Sequence, residues 1–215
     1  MAKVKVKICG ITNWTDARLA VKAGADALGF NFYSKSPRYI APDEARLIAT
    51  RLPRRVLLVG VFMNASIEEV LRAARNVDLN AVQLHGDESP ADVEELSESF
   101  PVIKAFRVRS GFSRERLARY RSASAFLLDG YDPNRRGGTG KTFDWKIAKK
   151  AKKYGAIIVA GGLTSENVAS AIRRARPFGV DICGGVESRP GKKDPERMNA
   201  VMHEIELLRK EMAHA

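Results

Sequence analysis

The sequence predicts an α/β fold: a single (β/α)8 TIM barrel over residues 1–215. Two observations carry this expectation. Eight short, β-branched apolar runs recur along the chain, each followed by a helix-patterned stretch, and this alternation builds parallel strands joined by right-handed crossovers. No G-x-G-x-x-G follows the first run, which removes the fingerprint of an open dinucleotide-binding sheet, and no linker or shift in composition divides the chain. A length of 215 residues is at the short end of the barrel's size range.

Taken in order, strands are expected at 4–9 (VKVKIC), 27–32 (ALGFNF), 57–62 (LLVGVF), 81–85 (AVQLH), 102–108 (VIKAFRV), 125–129 (AFLLD), 156–160 (AIIVA) and 179–183 (GVDIC). Helical patterning lies between them at 15–23, 42–50, 66–75, 91–99 and 165–174, and a long amphipathic segment at 195–212 closes the chain. Start signals support several of these. Thr12 to Asp16 and Ser66-Ile67-Glu68-Glu69 carry cap chemistry, Pro42-Asp43-Glu44 puts proline and acids in a first turn, and Asp144 reads as an N-cap.

The GGTGKT stretch ending at Thr142 has the close of a P-loop without its beginning. That pattern needs a glycine five residues before Gly140, where this chain has Arg135, and a helix straight afterwards, where it has Phe143-Asp144-Trp145. The stretch reads as a glycine-rich loop instead.

Composition narrows the function classes. Apolar residues make up 45% and charged residues 29%, which suits a globular protein with a sizeable core. No apolar run nears the roughly 20 residues of a membrane helix, and Lys alternates with Val at the N-terminus where a secretory signal would be apolar. Two cysteines without a CxxC point to a reducing, cytoplasmic setting rather than a disulfide framework. The net charge of +12 lies largely in helical segments and lacks interleaved aromatics that stack bases, so it reads as a solvated surface that attracts anionic substrates, without nucleic acid or membrane as partner.

Chemistry in such a barrel sits at the C-terminal ends of the strands. Alternation gives the facing. Lys5, Lys7 and Cys9 point inward from the first strand, Gln83 and His85 from the fourth, and Leu127 and Asp129 from the sixth. Cys9 reads either as a small buried hydrophobe or as an acid–base group, with Lys7 near enough to lower its pKa. Asp129 needs a job or a partner, since an unpaired buried carboxylate is costly, and Lys7 is a candidate partner. His85 reads equally as structural or as part of the site. Arg38, after Ser36-Pro37, is either a surface arginine or a bidentate clamp for a carboxylate. Gly161-Gly162 and Gly184-Gly185 end the last two strands, where backbone N–H groups of such barrels bind phosphate. Strands one and eight are neighbours in a closed barrel, about 4.8 Å apart, which brings Cys9 and Cys183 within disulfide reach.

The motifs KICGIT, GFNFYSKSPRYI, VGVF, VQLHG, LLDGYDPNRRGGTGKTFDW, VAGGLTSENV and GVDICGGVESRPGKKD, in this order and nearly end to end, resemble the phosphoribosylanthranilate isomerase family of tryptophan biosynthesis. The resemblance implies an Amadori rearrangement of N-(5-phosphoribosyl)anthranilate to 1-(2-carboxyphenylamino)-1-deoxyribulose 5-phosphate, with no cofactor and no metal, in a monomer or homodimer. It implies Asp129 as general acid, Cys9 as general base, and Arg38 as the holder of the anthranilate carboxylate. Lys7 and His85 line the substrate site, Gly161, Gly162, Gly184 and Gly185 hold the phosphate, and the GGTGK loop sits on the rim after the sixth strand. The chain departs from the family pattern at Cys183 and Gly184, where two serines are usual, and at Gly130, where a hydroxyl residue is frequent. The departure at 183 and 184 leaves backbone amides rather than hydroxyls for the phosphate. A sister barrel, the isomerase of histidine biosynthesis, uses aspartate where this chain has Cys9. A basic barrel that only binds polyanions would need neither Cys9 nor Asp129 at its mouth.

Overall fold

Alternating faces translate directly into an inner and an outer layer. Val6 and Ile8, Leu28 and Phe30, Val82 and Leu84, Phe126 and Leu128, Ile157 and Val159, and Val180 and Ile182 are buried outside the strands, against the helices. Ala27, Val59, Ile103, Ala105, Ala125, Leu127, Ile158 and Ala160 form a separate aliphatic plug within the ring. Small side chains dominate that plug because eight strands leave an interior only wide enough for side chains to fill.

The structure is a computed structural model that describes residues 3–130 and 143–213. In chain order the elements are β1 (Lys5–Cys9), α1 (Trp14–Lys22), β2 (Ala27–Asn31), α2 (Pro42–Ala49), β3 (Leu57–Phe62), α3 (Ile67–Val77), β4 (Ala81–Leu84), α4 (Pro90–Ser97) and β5 (Val102–Val108). There follow β6 (Ala125–Gly130), α5 (Trp145–Ala151), β7 (Ile157–Ala160), α6 (Val168–Ala175), β8 (Gly179–Ile182), β9 (Glu187–Arg189), β10 (Lys192–Lys193) and α7 (Pro195–Ala213). Strands β1 to β8 pair in sequence order and close into a barrel through parallel pairing of β1 with β8. Every expected strand is present, with ends within one residue of the expectation.

The helix starts obey their caps. Asn13 accepts a hydrogen bond from Asp16 N–H at 2.9 Å, and Ser66 and Glu69 form a reciprocal capping box. Pro42 occupies the first turn of α2, and Asp144 caps α5.

Three features differ from the expectation. The β5–β6 connection holds a 3-10 turn, Arg114–Arg119, instead of an α-helix, so the described residues contain seven α-helices rather than eight. Only Leu117 is buried in it, which is too little apolar stripe to hold a longer helix to the barrel. Second, α6 starts at Val168 rather than at Ser165, because Asn167 holds the preceding segment as a turn: it accepts from Thr164 N–H at 2.9 Å and donates to the Gly162 carbonyl at 2.8 Å. Third, a short hairpin, β9–β10, follows β8. It is strapped to α1 by Asp16, which accepts from Lys193 N–H at 2.8 Å and from Lys192 Nζ at 3.1 Å. At the opposite end of the barrel Arg209 of α7 donates to the Val4 carbonyl at 2.6 Å and to Asp26 at 3.1 Å. No described helix is long and apolar enough to cross a membrane.

Candidate active site

The register of β1 against β8 places Lys7 beside Asp181. Both are buried, and Lys7 Nζ donates to Asp181 Oδ1 at 2.9 Å. Burial opposes the Lys7 charge, but Asp181 and Cys9 outweigh it and hold its pKa raised. Burial, with the neighbouring Cys9 adding to it, pushes Asp181 up to about 7 against the pull of Lys7. Lys7 therefore pairs with Asp181 and not with Asp129, the partner considered for it from the sequence.

Cys9 closes β1 two residues further up, and Cys183 follows β8 directly. Both are free thiols rather than a disulfide. Hydrogen bonding with Cys183 is the largest influence holding the Cys9 thiol well below the ordinary range; burial opposes it, while the Lys7 and Lys193 charges assist, and the Cys183 Sγ also lies within donating reach of Glu187 Oε1, at 3.8 Å. The same contact, with burial, raises Cys183. Lys193 has a fully buried side chain beneath this pair. Its Nζ donates to the Cys9 carbonyl at 2.5 Å, to Glu187 Oε1 at 3.0 Å and to the Cys183 carbonyl at 3.4 Å. Two cations beside one thiol make a thiolate-favouring pocket.

Asp129 lies across the mouth at the end of β6. Its Oδ2 is 3.2 Å from His85 Nε2, and both side chains remain partly open to solvent. A Cβ at Gly161 would sit 2.5 Å from Asp129 Oδ1 and would collide with the Gly130 amide, and Gly161 has a φ of +88°. Only glycine meets both conditions there. Gln83, buried on the inner face of β4, has its Nε2 at 3.1 Å from His85 Nδ1.

Beneath the loop that follows His85 lies a second buried pair. Lys104 Nζ donates to Glu88 Oε2 at 2.7 Å and to the Gly86 carbonyl at 2.8 Å, while Glu88 accepts from the N–H groups of Asn64 and Gly86.

Arg38 is held by Glu187, with Nε at 2.9 Å from Oε1 and Nη2 at 2.7 Å from Oε2, leaving its Nη1 edge without a hydrogen bond among the described residues. Burial works against the Arg38 charge, yet the Glu187 hydrogen bonds keep its pKa raised; Glu187 is lowered in turn by Arg38 and Lys193 against its own burial. Gly184 and Gly185 open a 3-10 turn, Gly184–Val186, whose first amides lack intrahelical partners. Gly185 packs so closely on the Leu163 carbonyl that a Cβ would collide with it, which joins the rims after β7 and β8.

All the residues expected at the site thus sit around one mouth: Cys9 and Lys7 on β1, Arg38 after β2, His85 after β4, Asp129 on β6, and the two glycine pairs after β7 and β8. The GGTGK loop lies outside the described residues. Sequence reasoning missed Asp181, Gln83's contact, Lys104 and Lys193. Asp181 was findable, since it is the inward position between Val180 and Ile182, and so was Lys104, a lysine inside an apolar strand.

The family model for N-(5'-phosphoribosyl)anthranilate isomerase matches residues 6–204. The chain is 51% identical over 204 residues to an enzyme of that name from Citrifermentans bemidjiense, covering 95% of this chain and 98% of the relative. It is 52% identical over 196 residues to one from Trichlorobacter lovleyi, covering 91% and 94%. The phosphoribosyl anthranilate isomerase structure from Thermotoga maritima superposes with a TM-score of 0.89 at 46% identity, covering 94% of this chain and 98% of that one. Another structure of such an isomerase, in complex with reduced 1-(o-carboxyphenylamino)-1-deoxyribulose 5-phosphate, gives a TM-score of 0.85 at 44% identity with the same coverage. By its end-to-end match in sequence and in fold, this chain belongs to the N-(5'-phosphoribosyl)anthranilate isomerase family.

Proposed function

We propose that the barrel catalyses the Amadori rearrangement of N-(5'-phosphoribosyl)anthranilate in tryptophan biosynthesis, by general acid–base catalysis from two side chains on opposite sides of its mouth. The observation that carries this reading is the pairing of a thiol held low by Cys183 and two lysines with a carboxyl group across from it. The relatives' shared name, and the reduced carboxyphenylamino-deoxyribulose phosphate bound by one of them, support the substrate.

Asp129 donates a proton to the furanose ring oxygen. The C1–O bond breaks towards that oxygen while the anthranilate nitrogen lone pair forms an iminium. Cys9, as thiolate, then removes the C2 proton; its electrons close the C1–C2 double bond and the iminium becomes an enolamine. Tautomerisation returns a proton to C1 and leaves a ketone at C2. Lys7 and Lys193 keep Cys9 ionised. Arg38 offers its Nη1 edge to the anthranilate carboxylate, with Glu187 fixing the plane of the fork. The amides at Gly161, Gly162, Gly184 and Gly185 receive the phosphate, and Cys183, in a place usually held by serine, serves the base instead. The partner is a small phosphosugar rather than nucleic acid, and the enzyme acts as a monomer or homodimer in the cytoplasm.

The test is the loss of phosphoribosylanthranilate fluorescence, with substrate generated in situ. Wild type consumes it, and Cys9→Ala and Asp129→Asn each lose about 10²- to 10⁴-fold in kcat, the range of positioned acid–base catalysis. Full activity in either variant removes that residue from its role.

A further inference from the structure

Gln83 and His85 are two residues apart on β4 and its continuation, so they share the inward face, and the amide lies below the imidazole. Gln83 is 1% exposed, and its Nε2 is 3.1 Å from His85 Nδ1. In this orientation the amide NH₂ donates, so Nδ1 offers its lone pair, and a neutral imidazole then carries its hydrogen on Nε2. That nitrogen faces Asp129 Oδ2 at 3.2 Å. Gln83 Oε1 is buried without a hydrogen-bond partner, and the turned amide would bury both of its N–H donors at that unpartnered place. We infer that Gln83 is a positioning residue that fixes the tautomer of His85, so that His85 presents Nε2–H to Asp129 Oδ2 and confines the acid's transferable proton to Oδ1.

The inference rests on the reading of Asp129 as the acid, and it says how that acid is aimed. Oδ1 is the oxygen packed against Gly161, whose backbone approaches so closely that a Cβ there would sit 2.5 Å from it. With Oδ2 occupied by an N–H, the acid's proton resides on Oδ1. When the proton leaves, the same N–H meets the charge that develops on the carboxylate, so the donor is already in place for the product of the step. A His85 in the other tautomer would turn a lone pair on Asp129 and draw the proton away from the substrate.

Other charges bear on the imidazole. Asp129 reaches it from β6, and Asp181 of β8 feels its charge. Lys104 of β5 is bonded to the Leu84 and Gly86 carbonyls on either side of His85, with Glu88 closing that pair. Arg109 and Arg116 line the cavity of about 390 Å³ beside it. Among the described residues, the hydrogen bond shown at Nδ1 is the one to Gln83, which is the contact that sets the tautomer.

Nitrogen-15 spectra of histidine-labelled protein test the inference. The chain has three histidines, and the signal lost in His85→Asn assigns the pair. Wild type at mildly alkaline pH is expected to show an unprotonated Nδ1 and a protonated Nε2. Gln83→Glu puts an acceptor at Nδ1, inverts this signature, and lowers kcat by about tenfold or more with little change in KM, the scale of one misdirected proton transfer. Gln83→Met keeps the volume, removes the donor, and gives mixed tautomers with a smaller loss. A wild-type spectrum with hydrogen on Nδ1 overturns the inference without any variant, and so does an unchanged signature in Gln83→Glu. Failure of the underlying reading looks different: Asp129→Asn would keep full activity whatever the tautomer.

Discussion

Replacing Cys183 with alanine removes the thiol whose hydrogen bonding holds Cys9 low and leaves the two lysine charges in place. A hydrogen bond to a charged group contributes about 1.5–3 kcal/mol, and a thiol is a weak donor, so the low end applies. At 1.36 kcal/mol per pKa unit this is about one unit. The sign follows from the chemistry. Cys9 works as the ionised base, so kcat/KM rises with pH through its pKa, which the hydrogen bond has moved downward. Losing the bond moves the acidic limb of the profile up by about one pH unit. At a fixed pH on that limb the rate falls about tenfold, and the loss is confined to the acidic side. Cys183→Ser restores a donor at the same point and brings the limb back. The assay is kcat/KM against pH for the three proteins, read by substrate fluorescence. An acidic limb that stays in place in Cys183→Ala refutes the reasoning: either the thiol contact does not hold Cys9 low, or Cys9 is not the group that titrates.

Other consequences are as direct. Lys104→Met strips the buried Glu88 of its cation; breaking such a pair from one side costs about 3–5 kcal/mol, and the low end applies because Glu88 keeps its amide donors, which a urea unfolding midpoint will read. Leu127→Ala hollows the plug inside the ring, where Ala105, Ala125 and Ala160 are too short to fill the space, and should destabilise by about 2–5 kcal/mol in the same experiment. Gly185→Ala drives a methyl group into the Leu163 carbonyl and parts the rims after β7 and β8; loss of one charge-assisted contact to phosphate, about 1.5–3 kcal/mol, raises KM by roughly 10- to 100-fold with kcat much less affected. An unchanged KM would place the phosphate elsewhere.

Facing was legible from residue types alone. Alternation in VKVKIC and AFLLD put Cys9 and Asp129 inside the ring, and the pairing of glycines after the last two strands marked the rims. Partners were less legible, because alternation gives a side but not a height. Lys7 and Asp129 share the interior, yet Lys7 sits two residues below Cys9, level with Asp181, and only the β1–β8 register reveals this. Asp129 finds His85 because the end of β4 rises to the same level as the end of β6. Lys193 was hidden for another reason. In GKKD it reads as a surface lysine, and only the strap from Asp16 turns the hairpin so that its side chain runs under the thiols. The 3-10 turn after β5 shows a further limit, since a count of apolar positions, rather than the presence of charged helix formers, decides whether a connection becomes a helix.

The closure of β1 on β8 sets a clock on catalytic competence. Lys7 and Asp181 are 174 residues apart, and Cys9 reaches Lys193 across 184. During synthesis, at about 5–20 residues per second, the first strand is made long before the segment that completes its surroundings. Until residues 179–193 emerge, Cys9 has neither the Cys183 contact nor the Lys193 charge, and only Lys7 beside it favours the thiolate. The base is therefore completed only by a segment near the C-terminal end of the sequence, made long after the strand that carries it.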